Sequence, residues 1–235
     1  MKSKAWLPYV VPMGIYMAFL LVQSDANLLW MYPVKTLAVL AALIYFLSEY
    51  EELRAPHEVV SVLLAVVVGL VAIGIWIGID SYYPKPDQIQ LFFQRILNQL
   101  IHRPPPKAVP VVPFDPTTIQ SVAQRNVFFA FRVFGAVIVV PVMEELFWRA
   151  FLIRWLVNED FKSVAVGTFS WMSFGITVAL FGAEHYQWLA GLICGALYNW
   201  LYYRRKDVFA CVVAHAVSNA ALAAWVLARG DWKFW

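Results

Sequence analysis

Charge is what this chain has least of. Asp, Glu, Lys and Arg supply 14% of its 235 residues, while hydrophobic residues supply 62%. Soluble domains carry about 25% charged and about 45–50% apolar residues. So little charge cannot cover a water-facing surface, and a bilayer is the solvent this composition suits. The net charge of +3 is small and spread over loops, which leaves no basic footprint for a nucleic acid. Cysteine is scarce too: Cys194 and Cys211 both lie in apolar stretches and neither stands in a CxxC spacing. They read as small packing residues, not metal ligands. The first apolar stretch runs into Gln23, Ser24 and Asp25 with no A-x-A-like site, so no cleavable signal peptide is expected. No internal repeat is visible, which weighs against a transporter built from inverted repeats. An HExxH zinc motif is also missing.

What is present is a series of apolar stretches long enough to cross a bilayer, which takes about 20 residues each. Leu7–Val22, Leu28–Leu47 and Val59–Ile79 are the first three. Residues 81–118 hold Pro84, Pro86, Pro104, Pro105, Pro106, Pro110, Pro113 and Pro116, a density that forbids a continuous helix. Within it, Gln88–Ile101 spaces Ile89, Phe92, Phe93, Ile96, Leu97 and Leu100 helically, with Gln90, Gln94, Arg95 and Asn98 among them. This predicts an amphipathic helix on the membrane surface or a lid over the core. Ile119–Val157 is too long for a simple span, and Pro141 predicts a kink in it. Lys162–Gly182, Gln187–Tyr203 and Val208–Leu227 complete a set of seven. Eleven Trp and eleven Tyr suit two interfacial belts. The expectation is an all-α, polytopic membrane helical bundle of seven to eight transmembrane helices. Residues 1–117 would form N-terminal helices plus the Pro-rich loop (81–117), and residues 118–235 the functional core. Lys2 and Lys4 at one end, and Arg204, Arg205 and Lys206 between the last two spans, orient the N-terminus inside. Lys107 in the long loop weighs little in that count.

Several polar groups stand where they are expensive. Glu144 and Glu145 adjoin within an apolar stretch, and each would cost about 2.5–3.5 kcal/mol at mid-bilayer on insertion scales. Glu145 and Arg149 are four apart, so an ion pair on one helix face is natural. Glu144 points about 100° away and needs another partner. His185 follows the fifth apolar run, and Glu184 beside it reads as an interfacial residue. His215 and Asn219, four apart in the last span, share a face flanked by alanines that admit another helix. His57 and His102 read as solvated loop residues. A carboxylate and an imidazole in a desolvated pocket make a general base, and a donor pair such as His215 and Asn219 can stabilise an oxyanion. That is an amide-hydrolysing site with water as nucleophile. Two histidines and a glutamate also permit a zinc site, and buried carboxylates with histidines also serve proton-coupled transport. Interhelical hydrogen bonding alone is the structural alternative.

Glu144-Glu145-x-x-x-Arg149, Phe181-x-x-x-His185 and His215-x-x-x-Asn219, in that order, resemble the three signatures of the CAAX prenyl endopeptidase and bacteriocin-processing intramembrane proteases. The resemblance covers roughly residues 126–228. It implies a glutamic-type hydrolase with Glu144 as the water-activating base, His185 helping to hold it, and His215 with Asn219 stabilising the oxyanion. Glu145 and Arg149 would be supporting residues. It implies no cofactor, with zinc left open, and a peptide or protein substrate held in the lipid bilayer. Phe151-Leu-Ile-Arg-Trp155, Phe181-Gly-Ala-Glu-His-Tyr-Gln-Trp-Leu-Ala-Gly191 and Ala214-His-Ala-Val-Ser-Asn219 resemble the subgroup associated with exosortase sorting systems. That likeness points to a multi-pass protein of a bacterial inner membrane. A non-catalytic immunity or sorting-complex protein on the same fold is the rival reading. One geometric difficulty remains: a straight sixth span would put His185 about 24 Å from its Arg204 end, with His215 only about 12–15 Å from that end, so tilted or broken helices are required.

Overall fold

The computed structural model describes residues 4–54, 56–105 and 112–234. Lys2, Pro106, Lys107 and Pro110 lie outside them. The described residues form an all-helical bundle with no strand. Its helices are α1 (Leu7–Val22), α2 (Leu28–Tyr45), α3 (Val59–Gly78), α4 (Pro86–Leu100), α5 (Val122–Trp155), α6 (Trp171–Ala183), α7 (Trp188–Arg205) and α8 (Val208–Arg229). Four of them, α2, α3, α5 and α8, are long and apolar enough to cross a membrane, and α1 and α6 are shorter apolar helices. With this composition, the chain is a helical membrane protein.

The predicted segments each find a helix, with one shortened. The expected fifth span, Lys162–Gly182, is helical only from Trp171 to Ala183. Before it lies one 3₁₀ turn, Phe161–Ser163, and then non-helical chain. The cause is Arg154 at the end of α5. Its Nε donates to the Val164 carbonyl at 2.8 Å and its Nη2 to the Lys162 carbonyl at 3.4 Å. Carbonyls that would accept along a helix instead accept from a buried guanidinium. Arg154 also pairs with Glu52 at 2.6 Å, which ties the loop after α2 to the same point.

The main apolar core draws on both the 1–117 and 118–235 stretches. It includes Tyr9, Met13, Val39, Leu43, Ala65, Val68 and Ala72 beside Met143, Leu146, Phe181, Tyr198 and Ala214. Backbones come close where side chains are small. A Cβ on Gly69 of α3 would meet the Ala214 carbonyl of α8 at 2.4 Å. One on Gly191 of α7 would meet Gly182 of α6 at 3.0 Å. The Gly191–Gly195 pair therefore packs within the bundle, whereas no described residue stands within 4 Å of a Cβ on Gly74 or Gly78. Cys194 and Cys211 are buried packing residues with free thiols. His57 departs from the solvated reading: its ring stacks on Phe209 and pairs with Asp207 at 3.2 Å, at the start of α8.

Helix α4 keeps its amphipathic promise. None of its residues is buried, and Phe92, Phe93, Ile96, Leu97 and Leu100 are exposed. It is tied to the bundle at its beginning, where Tyr186 donates to Asp87 at 2.5 Å and the Trp188 indole donates to the Pro84 carbonyl at 3.0 Å.

Candidate active site

Helix α5 presents its glutamates from a short α-helical stretch, Val140–Glu145, set between two π-helical segments, Gly135–Val139 and Leu146–Leu152. The irregularity expected at Pro141 is thus a pair of register changes on either side of it. The Val140 N–H reaches back five residues to the Gly135 carbonyl. In that register the Ala136 carbonyl would look to Pro141, which has no N–H to give. Asn219 supplies the donor instead, its Nδ2 lying 2.8 Å from the Ala136 carbonyl. Such π segments, where register shifts, recur at functional sites.

Behind the helix is a sealed polar network. Glu145 is fully buried and Arg149 is 1% exposed. Their ion pair measures 3.0 Å, as the spacing predicts. The same Glu145 oxygen lies 2.9 Å from His215 Nδ1. Arg149 further donates to Asn199 Oδ1 at 3.1 Å and to the Gly195 carbonyl at 3.3 Å, and Asn199 donates to Thr177 at 2.9 Å. The guanidinium also lies over the Phe181 ring at 4.9 Å. Four helices, α5 to α8, are joined through one buried cation. His215 is held as well by Tyr198, whose ring stacks on it at 5.4 Å and whose hydroxyl bonds Ser218 at 2.6 Å.

In front of the helix is a cavity of about 570 Å³ lined by Glu144, His185, His215, Ser218 and Asn219. All four residues expected to carry chemistry therefore face one space. The difficulty of depth is resolved by a chain that doubles back. Helix α6 ends at Ala183, and the loop after it brings His185 Cβ beside Gly191, a turn inside α7. The ring then turns back onto its own helix. Nδ1 lies 2.6 Å from the Phe181 carbonyl, and since a carbonyl only accepts, Nδ1 carries the proton. Phe181 stands between the two imidazoles, 4.9 Å from His185 and 6.1 Å from His215.

Glu184 is the residue the sequence reading left at the interface. One oxygen each of Glu144 and Glu184 and one ring nitrogen of His185 lie within 4.8 Å of one another. These three could offer a ligand each to a divalent cation, and His215 is not among them. Glu144 Oε2 and Glu184 Oε1 are buried and have no hydrogen-bond partner among the described residues. The buried Trp148 indole N–H lies beside Glu184. Asn199, Tyr198 and Ser218 were also missed. Asn199 stands four residues after Gly195 on α7, a spacing that would have placed it on the packed face.

Residues 126–221 match the family model described as type II CAAX prenyl endopeptidase Rce1-like. That segment is similar to the CAAX proteases. It runs from the second turn of α5 into α8 and contains Glu144, Glu145, Arg149, His185, His215 and Asn219. It supports an intramembrane protease of the CAAX type, acting on protein substrates in the bilayer. The match does not distinguish the exosortase-associated subgroup. No curated protein and no solved structure matches the chain.

Proposed function

We propose that this protein is a multi-pass, glutamic-type intramembrane endopeptidase of a bacterial inner membrane. Residues 118–235 form its catalytic core, and residues 1–117 its flanking helices and surface helix. One observation carries the reading: Glu144 is a buried carboxylate that faces the same cavity as His185, His215 and Asn219, with one oxygen that has no partner among the described residues. Such a group is costly to keep in an apolar bundle unless it is used. Glu144 takes a proton from water as the oxygen attacks the scissile carbonyl. His185, fixed by Phe181, helps to position that water. Asn219 has one amide N–H engaged with Ala136 and a second for the oxyanion. His215, oriented by Glu145 at 2.9 Å, stabilises the oxyanion beside Asn219. Glu145 and Arg149 act as support and do not touch the substrate.

The test uses protein purified into liposomes and a mixture of quenched-fluorescent peptides with apolar sequences. Wild type should release fluorescence, and Glu144→Gln, folded to the same extent, should be slower by about 10²–10⁴-fold, the range of general base catalysis. Undiminished hydrolysis by a well-folded Glu144→Gln protein would exclude the mechanism.

A further inference from the structure

We infer that Asp80 and Gln187 form a subsite for a basic side chain of the peptide substrate, and that Lys233 of this chain fills it at rest. The subsite rests on the protease reading and gives that reading a substrate class.

The chain itself shows how a peptide sits there. Helix α8 stops at Gly230, which takes the left-handed conformation and gives its N–H to the Val226 carbonyl. That cap turns the chain back. The 3₁₀ turn Trp232–Phe234 then lies against the cavity that holds Glu144, with all three residues in its lining. Three contacts hold the turn. The Trp232 ring stacks on Phe129 of α5 at 6.1 Å. The Gln187 side-chain amide donates to the Lys233 carbonyl at 3.3 Å. The Lys233 ammonium meets Asp80 at 3.0 Å. Main-chain hydrogen bonds together with places for chosen side chains are how proteins hold peptides.

Asp80 treats its two lysines unequally. Its side chain is 8% exposed, and a carboxylate so buried needs cations beside it. One oxygen meets Lys85 at 2.9 Å. That lysine is 12% exposed and lies against the Tyr83 ring, so it is built into the wall. The other oxygen meets Lys233, whose side chain is 48% exposed. A half-exposed ammonium keeps much of its hydration, so Lys233 can swing into water at little cost. A lysine or arginine of a substrate that takes its place swaps one cation for another. Asp80 never goes unpaired, and the charge of the site stays the same. The other charged groups in the lining have other tasks: Arg132 lies over the Tyr32 ring at 4.8 Å, and Glu144 is the proposed base.

The location fits such a substrate. Asp80 follows the end of α3, Gln187 the end of α6 and Lys233 the end of α8, so three apolar helices finish together at this mouth. Lysine and arginine at the edge of an apolar membrane peptide sit at that level, with their stems in lipid and their charges in water. The substrate is therefore an apolar membrane peptide with a basic residue beside the segment to be cut.

Binding gives the test. Dye-labelled peptides of one apolar sequence, with lysine or glutamine at each position in turn, are titrated onto the full chain in nanodiscs, with empty nanodiscs as the blank. The readout is the lysine-to-glutamine affinity ratio at the best position. Wild type should favour lysine. Lys233→Ala should raise the ratio about tenfold, because the site is no longer occupied from within, and Lys233→Arg should leave it near the wild-type value. Asp80→Asn should bring it to about one, alone or combined with Lys233→Ala. Equal ratios in wild type and Lys233→Ala overturn the subsite. So does a lysine preference that survives in the double variant, since that is long-range attraction only. If Asp80→Asn does not fold, Lys233→Ala against Lys233→Arg decides. Quenched-fluorescent versions of the same peptides separate the two readings. The expected ratios without hydrolysis by wild type uphold the subsite and count against the protease reading alone. Hydrolysis with ratios indifferent to Lys233→Ala counts against the subsite alone.

Discussion

The two faces of α5 carry adjacent glutamates with opposite fates. Glu145 is closed in by Arg149 and His215, and through Arg149 it is linked to Asn199 and Thr177. Each keeps one buried oxygen without a partner among the described residues, but Glu144, one residue away, lines the cavity and Glu145 does not. The same carboxyl group is a structural tie on one side and, in the proposed mechanism, the reagent on the other. What separates them is how many of the surrounding donors are already committed.

The largest effect expected is on the sealed side. Arg149→Ala would leave Glu145 buried without its cation, at a cost of about 3–5 kcal/mol. It should appear as lost folded yield and a lower unfolding temperature in detergent. A stable Arg149→Ala protein would mean that His215 alone can hold Glu145. On the open side, Glu144→Gln should abolish most peptide hydrolysis while the unfolding temperature stays near that of wild type. A large loss of stability there would erase the contrast between the two faces. Asn219→Ala sits between them: it orphans the Ala136 carbonyl, costing about 1–3 kcal/mol, and it also removes a donor from the cavity. Both stability and turnover should fall, and a loss confined to one of them would assign Asn219 to a single side. The smallest effect is the reference. Asp207 caps α8 by accepting from the Ala210 N–H at 3.2 Å. Asp207→Ala should cost about 1 kcal/mol and leave peptide hydrolysis unchanged, as measured by the same thermal and fluorescence assays.

Much of this contrast could be read from the chain alone. The i, i+4 spacing of Glu145 and Arg149 announced their ion pair, and the composition announced the helices. His185 could not be placed at depth, because its position depends on a loop that doubles back and on the close approach of Gly182 to Gly191. The same fold brings Glu184 inward, and no periodicity in an apolar run reports what a loop after it will do. Asn199 and Thr177 were illegible for a related reason: each looks like a stray polar residue until the register between α6 and α7 is known. The shortened fifth span was hidden because Arg154, outside it, takes the carbonyls that a helix would have used.

The bond between Asn219 and the Ala136 carbonyl has a consequence for substitution. Proline at position 141 creates a vacancy that an amide at position 219 fills, so a change at one position alters what the other must supply. Replacing Pro141 by alanine should relax the demand on Asn219, and the paired substitution should be better tolerated than the sum of its parts.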